Sequence, residues 1–443
     1  MKSDLPKILH KISGRPMIAY VADAVKDAGI NRVLVVVNQK LEELSAQVGK
    51  AQIVIQKEQL GTAHALQKAE PYLRDFTGTV MVLCGDTPLI SPATMRDMAI
   101  YHQKTGAAAT VLTVTMKNPR SYGRIVRKEG SIERIVEEKD ASAEERKIRE
   151  VNTGTYCFDK EKLFLSLPKI QRENRQREFY LTDVVETLRN EGEKIASYEA
   201  SEEDEVMGVN TCKELAEAER LMRLRIIEKW MAKGVTFIDP ASSFVGGEVK
   251  IGKDTTVYPY TFLEGKTTIG ARCVIGPSVR LIDSRIGKEV EIQYAVVRDS
   301  TVEDRASLGP FCSLRAGARI KRGSKVGSFV EIKKSEIGEG SKVPHLSYVG
   351  DAVIGKNVNV GAGTVTCNYD GVKKNRTVIE DDVFVGSDTM LIAPVRIGKG
   401  AVTGAGSVIT KNVPPYSLGL ERSEQKNIKG WTKKKKQDRK KCK

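Results

Sequence analysis

The chain has 443 residues, of which 40% are hydrophobic and 29% are charged, a composition typical of a soluble protein with two or three domains. The sequence predicts no membrane span because it contains no run of 18 apolar residues, and its first residues lack the apolar core of a signal peptide. The seven cysteines (84, 157, 212, 273, 312, 367 and 442) form no C-x-x-C pair, so we expect reduced thiols in a cytoplasmic protein.

The N-terminal part, residues 1–212, alternates short apolar runs with amphipathic stretches. Four runs are too short for helices and are predicted as strands: Arg32–Val37, Gln52–Gln56, Thr79–Cys84 and Thr110–Thr115. Helices are predicted between them, at Pro16–Ala28 and Thr62–Ala69. This alternation indicates an α/β doubly wound domain with a mostly parallel sheet, in which ligands bind beyond the carboxyl ends of the strands.

Three places at these strand ends suit an anionic ligand. Asp86 directly follows a strand and a Gly, a position fit for a Mg²⁺–phosphate site, although a plain turn is the alternative. Gln56 ends a strand, and Gly61-Thr62 begins a helix whose N-terminus can face an anion, unless Thr62 merely caps that helix. Lys7 is either a phosphate-facing cation or ordinary surface charge.

Residues 213–233 repeat apolar side chains every three or four positions, which predicts a linker helix that ends before Asp239-Pro240. Beyond it an aliphatic–Gly pair recurs at intervals close to multiples of six. The pairs are Ile251-Gly252, Ile269-Gly270, Ile275-Gly276, Ile286-Gly287, Leu308-Gly309, Val326-Gly327, Ile337-Gly338, Ile354-Gly355, Val360-Gly361, Val385-Gly386 and Ile397-Gly398.

Such hexapeptide repeats predict a parallel β-helix over residues 234–420 rather than a Gly-rich β-sandwich. We expect the aliphatic residues to point inward and the Gly residues to lie at corners with positive φ. Two stretches, 340–350 and 366–376, depart from the repeat and are predicted to be irregular, function-bearing loops. His345 lies in the first of them, and an ordinary surface histidine is the alternative reading.

The tail, residues 421–443, is strongly basic. Lys433–Lys443 contains eight Lys or Arg and one Asp, so it carries +7 of the net charge of +15. We expect a disordered, solvated run, with contact to nucleic acid or an anionic membrane as the weaker alternative.

Seven motifs occur in an order that resembles the family of bifunctional N-acetylglucosamine-1-phosphate uridyltransferases / glucosamine-1-phosphate acetyltransferases. They are Leu5–His10, Gln59–His64, Cys84–Pro88, Tyr122–Ile125, Ile135–Asp140, Val151–Gly154 and Gly208–Asn210. With the hexapeptide domain, the resemblance extends from Met1 to about Trp431. It implies that the β-helix is left-handed and that the chain forms homotrimers with sites between subunits.

For residues 1–212 the resemblance implies transfer of UMP from UTP to N-acetylglucosamine-1-phosphate, with release of pyrophosphate. Asp86 and Asn210 would bind Mg²⁺, and Lys7 would neutralise phosphate charge. Gln56, Gly61 and Thr62 would bind the uracil. The residues implied for the sugar-nucleotide are Gly123, Glu137, Asn152 and Asn210.

For the β-helix the resemblance implies acetyl transfer from acetyl-coenzyme A to glucosamine-1-phosphate, with His345 as the general base. An imidazole with a pKa near about 6.5 can take the proton of the substrate amine at neutral pH. The residues implied for the sugar phosphate are Arg315, Lys333, Tyr348, Asn359 and Lys374. Those implied for acetyl-coenzyme A are Ala362, Asn368, Tyr369, Ser387, Ala405 and Arg422.

Two features depart from the family pattern. The family opens with a strand and a Gly-rich loop that cradles nucleotide phosphates, whereas this sequence begins at what looks like the last Met of that loop. We therefore expect unpaired strand edges and weak or absent uridyl transfer. The family also has a small residue where Arg177 stands, which affects the sugar-site loop. The alternatives are an acetyltransferase alone or a non-enzymatic β-helix binding protein.

Overall fold

The structure is a computed structural model that describes residues 1–38, 44, 48–119 and 121–441, without the side chains of 437–441. It divides into two units, Met1–Arg225 and Ile226–Lys443. Within the described residues, no helix is both long enough and apolar enough to cross a membrane. Cys442 lies outside them, and the six other cysteines are free thiols.

The predicted elements of the first unit are present, with ends that differ by at most two residues. The helices are α1 (Met17–Asp27), α2 (Thr62–Ala69), α3 (Pro92–Thr105), α4 (Lys160–Ser166), α5 (Thr182–Asn190) and α6 (Cys212–Met231), the last of which contains the boundary between the units. The strands are β1 (Lys11–Ile12), β2 (Arg15–Pro16), β3 (Leu34–Val37), β4 (Gln52–Ile55), β5 (Thr79–Val82), β6 (Ala109–Thr115), β7 (Gly123–Lys128), β8 (Ser131–Val136), β9 (Glu150–Asp159) and β10 (Ile195–Glu199).

The main sheet has the order β10-β6-β9-β7-β8, and β5 also pairs with β9. It is mixed rather than mostly parallel, because β9 runs antiparallel to β5, β6 and β7 while only β6 and β10 are parallel. The β7–β8 hairpin turns at Glu129-Gly130, both with positive φ, and so short a connection joins only antiparallel strands. Among the described strands, β3 and β4 pair only with each other, in parallel.

Both faces of this sheet are covered by apolar side chains. Leu112 and Val151 belong to one buried cluster, whereas Val111 and Phe158 belong to another. Neighbouring residues of a strand point to opposite faces, so the two clusters lie on opposite sides of the sheet. Their burial leaves the strand ends, rather than the sheet faces, for ligands.

The second unit is a left-handed parallel β-helix with three faces, each a parallel sheet. The first face contains Thr236–Phe237, Thr256–Val257, Val274–Ile275, Glu291–Ile292, Ser307–Leu308, Lys325–Ser328, Lys342–His345, Asn359–Val360, Phe384–Val385, Val402–Thr403 and Leu418–Gly419. The second contains Phe244–Val245, Phe262–Glu264, Arg280–Ile282, Ala295–Arg298, Cys312–Leu314, Glu331–Lys333, Tyr348–Gly350, Val365–Cys367, Met390–Ile392 and Val408–Ile409. The third contains Lys250–Ile251, Thr268–Ile269, Arg285–Ile286, Thr301–Val302, Arg319–Ile320, Glu336–Ile337, Ala352–Ile354, Thr377–Ile379 and Val395–Ile397.

The aliphatic residue of every predicted aliphatic–Gly pair is buried, which confirms the inward orientation. The explanation given for the Gly was wrong, because among the paired Gly residues only Gly276 and Gly309 have positive φ. At the others the next coil is too close for a side chain: a Cβ on Gly270 would lie 2.4 Å from the carbonyl oxygen of Gly287. The left-handed corner instead falls two residues after the Gly, at Asp254 (φ 62°) and Arg272 (φ 58°), for example.

The stretch 340–350 is not irregular, because Lys342–His345 and Tyr348–Gly350 form ordinary rungs that pair with the coil below. The second stretch does leave the helix: the chain departs after Cys367 and returns at Thr377. The tail was also predicted wrongly in part. Trp431–Lys441 forms α7, since Lys, Gln and Arg favour helix and no Gly or Pro interrupts them.

Candidate active sites

Three residues from distant parts of the first unit meet at one point. The ammonium nitrogen of Lys7 forms an ion pair with Asp86 and donates a 2.8 Å hydrogen bond to Oδ1 of Asn210. The backbone N–H of Val209 also donates to the carbonyl oxygen of Asp86 at 3.0 Å. A cation therefore already lies between a carboxylate and an amide oxygen, the donor types that Mg²⁺ prefers.

Gln56, Gly61 and Thr62 lie together where β4 ends and α2 begins. The buried Gln56 donates from Nε2 to the carbonyl oxygen of Gly61 at 3.2 Å. Gly61 has φ 118°, and a Cβ there would lie 2.5 Å from the carbonyl oxygen of Phe179. Thr62 does not cap its own helix, because its Oγ1 accepts the N–H of Leu181 at 3.0 Å. The interpretation of Thr62 as a simple cap was wrong.

Gly123, Glu137 and Asn152 also converge. Gly123 pairs with Asn152 between β7 and β9, and a Cβ on Gly123 would lie 3.6 Å from both carboxylate oxygens of Glu137. Asn152 donates to the hydroxyl of Tyr156 at 2.7 Å. Burial raises the pKa of Glu137, and Thr182 counteracts this by donating a 3.4 Å hydrogen bond to it.

Two residues near this point were not predicted. The hydroxyl of Tyr122 accepts the N–H of Gly208 at 3.0 Å, which ties the Gly123 motif to the Asn210 motif. Burial raises the pKa of Asp183 to about 6, and the carboxylates of Glu186 and Glu137 add to the effect. Only its place next to Gly123 in the sequence could have indicated that Tyr122 belongs to this site. No feature of the sequence indicated Asp183, which the fold brings close to Glu137. Arg177 has φ 56°, a left-handed conformation in which Gly avoids the penalty that a Cβ incurs.

In the β-helix, the predicted sugar-phosphate lysines form a cluster. The side chains of Lys333 and Lys374 lie close to each other, and the proximity and repulsion of their two ammonium groups lower the pKa of Lys374. Lys333 also lies 3.6 Å from the carboxylate of Asp351. The excursion 368–376 thus returns Lys374 to the second face, where it creates a strongly cationic point.

The other predicted sugar-phosphate residues are not all brought to this point. Arg315 lies one coil below Lys333 and forms a 2.9 Å ion pair with Glu331, which raises its pKa, with a smaller contribution from Tyr348. Tyr348 is also one of the smaller contributors that raise the pKa of Lys333, after Lys374 and Asp351. Asn359 belongs to the first face, where it pairs with Lys342.

His345 is exposed at the end of its strand on the first face. It lines a groove of about 350 Å³ whose polar wall includes Glu291, Gln293, Lys325 and Ser328. Tyr348 begins the next strand, on the second face, three residues later. The predicted base and a predicted sugar-phosphate residue therefore lie on either side of one corner of the β-helix.

Four predicted residues form a column along this corner. The strand registers place His345, Ala362, Ser387 and Ala405 at equivalent positions of successive coils. The carbonyl oxygens of the last three accept hydrogen bonds from Asp388 N at 2.6 Å, Gly406 N at 2.8 Å and Arg422 Nη1 at 3.2 Å.

Within the excursion, Asn368 and Tyr369 have different surroundings. Asn368 is buried and donates from Nδ2 to Asp351 at 2.5 Å. Tyr369 is exposed, and its hydroxyl donates to the carbonyl oxygen of Gly371 at 2.6 Å. Asp351 was not predicted. It lies 17 residues, or one coil, after Lys334, so the spacing of the repeat could have placed it next to the Lys333-Lys334 pair.

Comparisons with known proteins cover both units. The nucleotidyl transferase family model matches residues 2–231, and the bacterial transferase hexapeptide model matches residues 376–411. Similar curated proteins include the bifunctional protein GlmU of Heliobacterium modesticaldum, 50% identical over 96% of this chain and 93% of the relative. The proteins of the same name from Carboxydothermus hydrogenoformans (50% identical, 98% and 97% covered) and a Geobacillus species (48%, 96% and 94%) are also similar.

Proposed function

Because the chain belongs to the family of bifunctional GlmU proteins, we propose that its two reactions take place in separate units and at the residues described above. The protein is an enzyme of UDP-N-acetylglucosamine synthesis. It transfers acetyl from acetyl-coenzyme A to glucosamine-1-phosphate, and it transfers UMP from UTP to N-acetylglucosamine-1-phosphate with release of pyrophosphate.

We assign uridyl transfer to the corner formed by Lys7, Asp86 and Asn210. The meeting of one ammonium group with two oxygen donors supports this assignment. Asp86 and Asn210 would hold Mg²⁺, which supplies positive charge next to the nucleotide phosphates. Lys7 neutralises the charge that develops on the leaving pyrophosphate.

The remaining nucleotide site is proposed from the same unit. Gln56, Gly61 and Thr62 bind the uracil, and the tight approach of Gly61 to Phe179 leaves no room for a larger residue. Gly123, Glu137 and Asn152, together with Asn210, bind the sugar-nucleotide. These groups position the reactants rather than form covalent intermediates, as expected for a nucleotidyl transfer.

We assign acetyl transfer to the corner with His345. The observation that carries this assignment is the pair of Lys333 and Lys374 at the far end of the second face, whose near end adjoins His345, because a phosphate monoester is the substrate group that two adjacent ammonium groups fit. Arg315, Tyr348 and Asn359 complete the sugar-phosphate side.

The acetyl-coenzyme A side lies above His345. Ala362, Ser387 and Ala405 frame the thioester along the column, and Arg422, Asn368 and Tyr369 contact the cofactor. His345 takes a proton from the substrate amine, the amine nitrogen attacks the thioester carbon, and coenzyme A leaves as the thiolate.

We further propose that the protein works as a homotrimer. Tyr294, Phe311 and Phe329 stack along one corner with ring centroids 5.2 and 5.4 Å apart, and Phe311 and Phe329 are 55% and 61% exposed. Leu346, 62% exposed, continues this aromatic row next to His345. An apolar row of this size fits a second copy of the chain, so the acetyl-transfer site would lie between subunits. Free thiols and the substrates used favour the cytoplasm.

Two assays on the purified chain test the proposed function. One follows coenzyme A release with glucosamine-1-phosphate, and the other follows pyrophosphate release from UTP with N-acetylglucosamine-1-phosphate. The bifunctional assignment predicts both products, and substantial pyrophosphate release would overturn the expectation of weak or absent uridyl transfer stated from the sequence. Coenzyme A release alone would favour the acetyltransferase-only alternative, and release of neither would favour a binding protein.

A further inference from the structure

Asp351 occupies a corner between the second and third faces, one coil above Lys333 and Lys334. Its backbone has φ 49°, and its N–H donates to the carbonyl oxygen of Lys333 at 3.0 Å. Only one fifth of its side chain is exposed. The carboxylate is therefore fixed by the scaffold and is held against the site described above.

The carboxylate contacts two residues that belong to opposite sides of the acetyl-transfer site. One oxygen, Oδ2, accepts from Nδ2 of Asn368 at 2.5 Å and lies 3.6 Å from the ammonium nitrogen of Lys333. Lys333 is assigned to the sugar phosphate and Asn368 to acetyl-coenzyme A. Asp351 thus joins the two substrate sides through a single oxygen atom.

The contact with Asn368 fixes the direction of its amide. An ionised carboxylate can only accept hydrogen bonds, so the NH₂ group of Asn368 must face Asp351 and its carbonyl oxygen must face the other way. The contact with Lys333 has a second consequence. A negative charge beside Lys333 and Lys374 reduces the repulsion between the two lysines and allows them to remain in contact.

We propose that Asp351 is a positioning residue for acetyl transfer, which orients the amide of Asn368 and holds the Lys333–Lys374 pair together. This inference rests on the proposed acetyl-transfer function. Asp351 acts through its neighbours and does not touch the reacting atoms.

The chain offers a matched control for its replacement. Asp299 occupies the equivalent corner of a lower coil, with φ 43°, and it is exposed. Asn tolerates left-handed φ nearly as well as Asp. Asp351→Asn and Asp299→Asn therefore make the same change to the scaffold, and only the first alters the contacts with Lys333 and Asn368.

The test compares the steady-state kinetics of coenzyme A release for D351N, D351E, N368A, D351N/N368A and D299N. We expect kcat/KM to fall about 10- to 100-fold in D351N, the usual effect of lost positioning, and to fall less in D351E, which keeps the charge and the acceptor oxygens. If Asp351 acts through Asn368, D351N/N368A is far less impaired than the product of the two single effects. D299N is expected to match the unsubstituted chain.

The outcomes separate this inference from the function on which it rests. An unsubstituted chain that releases no coenzyme A overturns the proposed function and this inference with it. An active chain whose D351N variant is within twofold of it overturns the positioning role alone, and so do fully multiplicative effects of D351N and N368A. If D351N fails to fold, D351G decides, because it removes the carboxylate at a position whose φ of 49° suits Gly: a loss with an unchanged melting temperature supports positioning, and full activity contradicts it.

Discussion

Lys7 and Asn210 are hydrogen-bonded at 2.8 Å although 203 residues separate them in the chain. Asp86, in the turn that follows β5, forms an ion pair with the same ammonium group of Lys7. The first unit therefore builds this ion-paired corner from three segments that are brought together only by folding.

Replacing Lys7 by Ala should lower pyrophosphate release about 10²–10³-fold, the usual effect of removing one group that stabilises transition-state charge. Lys11→Ala, an exposed lysine on β1, serves as the control and should have no effect. A K7A variant as active as the K11A variant would show that Lys7 is only surface charge.

Asp86→Asn should raise the Mg²⁺ concentration needed for half-maximal pyrophosphate release by about tenfold, because the carboxylate is the only charged ligand proposed for the ion. Removal of divalent ions with a chelator should stop the reaction in both proteins. Asp23→Asn on α1, which loses only an exposed ion pair with Arg15, should leave the Mg²⁺ requirement unchanged. An unaltered requirement in D86N would contradict the metal assignment.

His345→Ala should lower coenzyme A release about 10²–10⁴-fold, the usual contribution of a general base. Pyrophosphate release should remain unchanged, since it is assigned to the other unit. Lys342→Ala alters an exposed side chain of the same strand and provides the matched control. If H345A retains the full rate of acetyl transfer, another group must take the proton.

Asp183→Asn should stabilise the first unit at neutral pH and leave its stability unchanged at acid pH. Burial raises the pKa of Asp183 to about 6, so the folded state favours the protonated form. The stability contributed by that protonation is present below the unfolded pKa of about 4 and is lost as the pH rises through 6. Because the carboxyl group is partly exposed, solvent screening limits the gain to about 1 kcal/mol. Urea unfolding at pH 7.5 and pH 4 measures it; equal effects at both would contradict this pKa.

Gly270→Ala and Asp254→Gly should change the stability of the β-helix in opposite directions. A Cβ at position 270 would lie 2.4 Å from the backbone of the next coil, and relieving such a clash typically costs about 1–3 kcal/mol. Asp254 has φ 62°, where Gly avoids a penalty of about 1 kcal/mol. Thermal unfolding of the two variants is the measurement. A stabilised G270A would mean that the coils can separate at no cost.

The repeat could be predicted from the sequence because one buried aliphatic residue per rung sets its period. The function of the Gly could not, since its reason lies in the distance to a coil 17 or 18 residues away. The same limit applies to the first unit. Lys7, Asp86 and Asn210 were predicted from separate motifs, but their meeting depends on the fold. Asp351 was missed because its partners Lys333 and Asn368 lie on neighbouring coils.

The excursion between Cys367 and Thr377 leaves the scaffold unchanged. Thr377–Ile379 pair in register with Ala352–Ile354, so the coil closes as it would if the chain had never left it. The repeat can thus accept loops of other lengths at this corner without a change of core. Changes in specificity for the acetyl acceptor, natural or engineered, can therefore be confined to this one exchangeable loop. The strands that keep the subunit folded need not change.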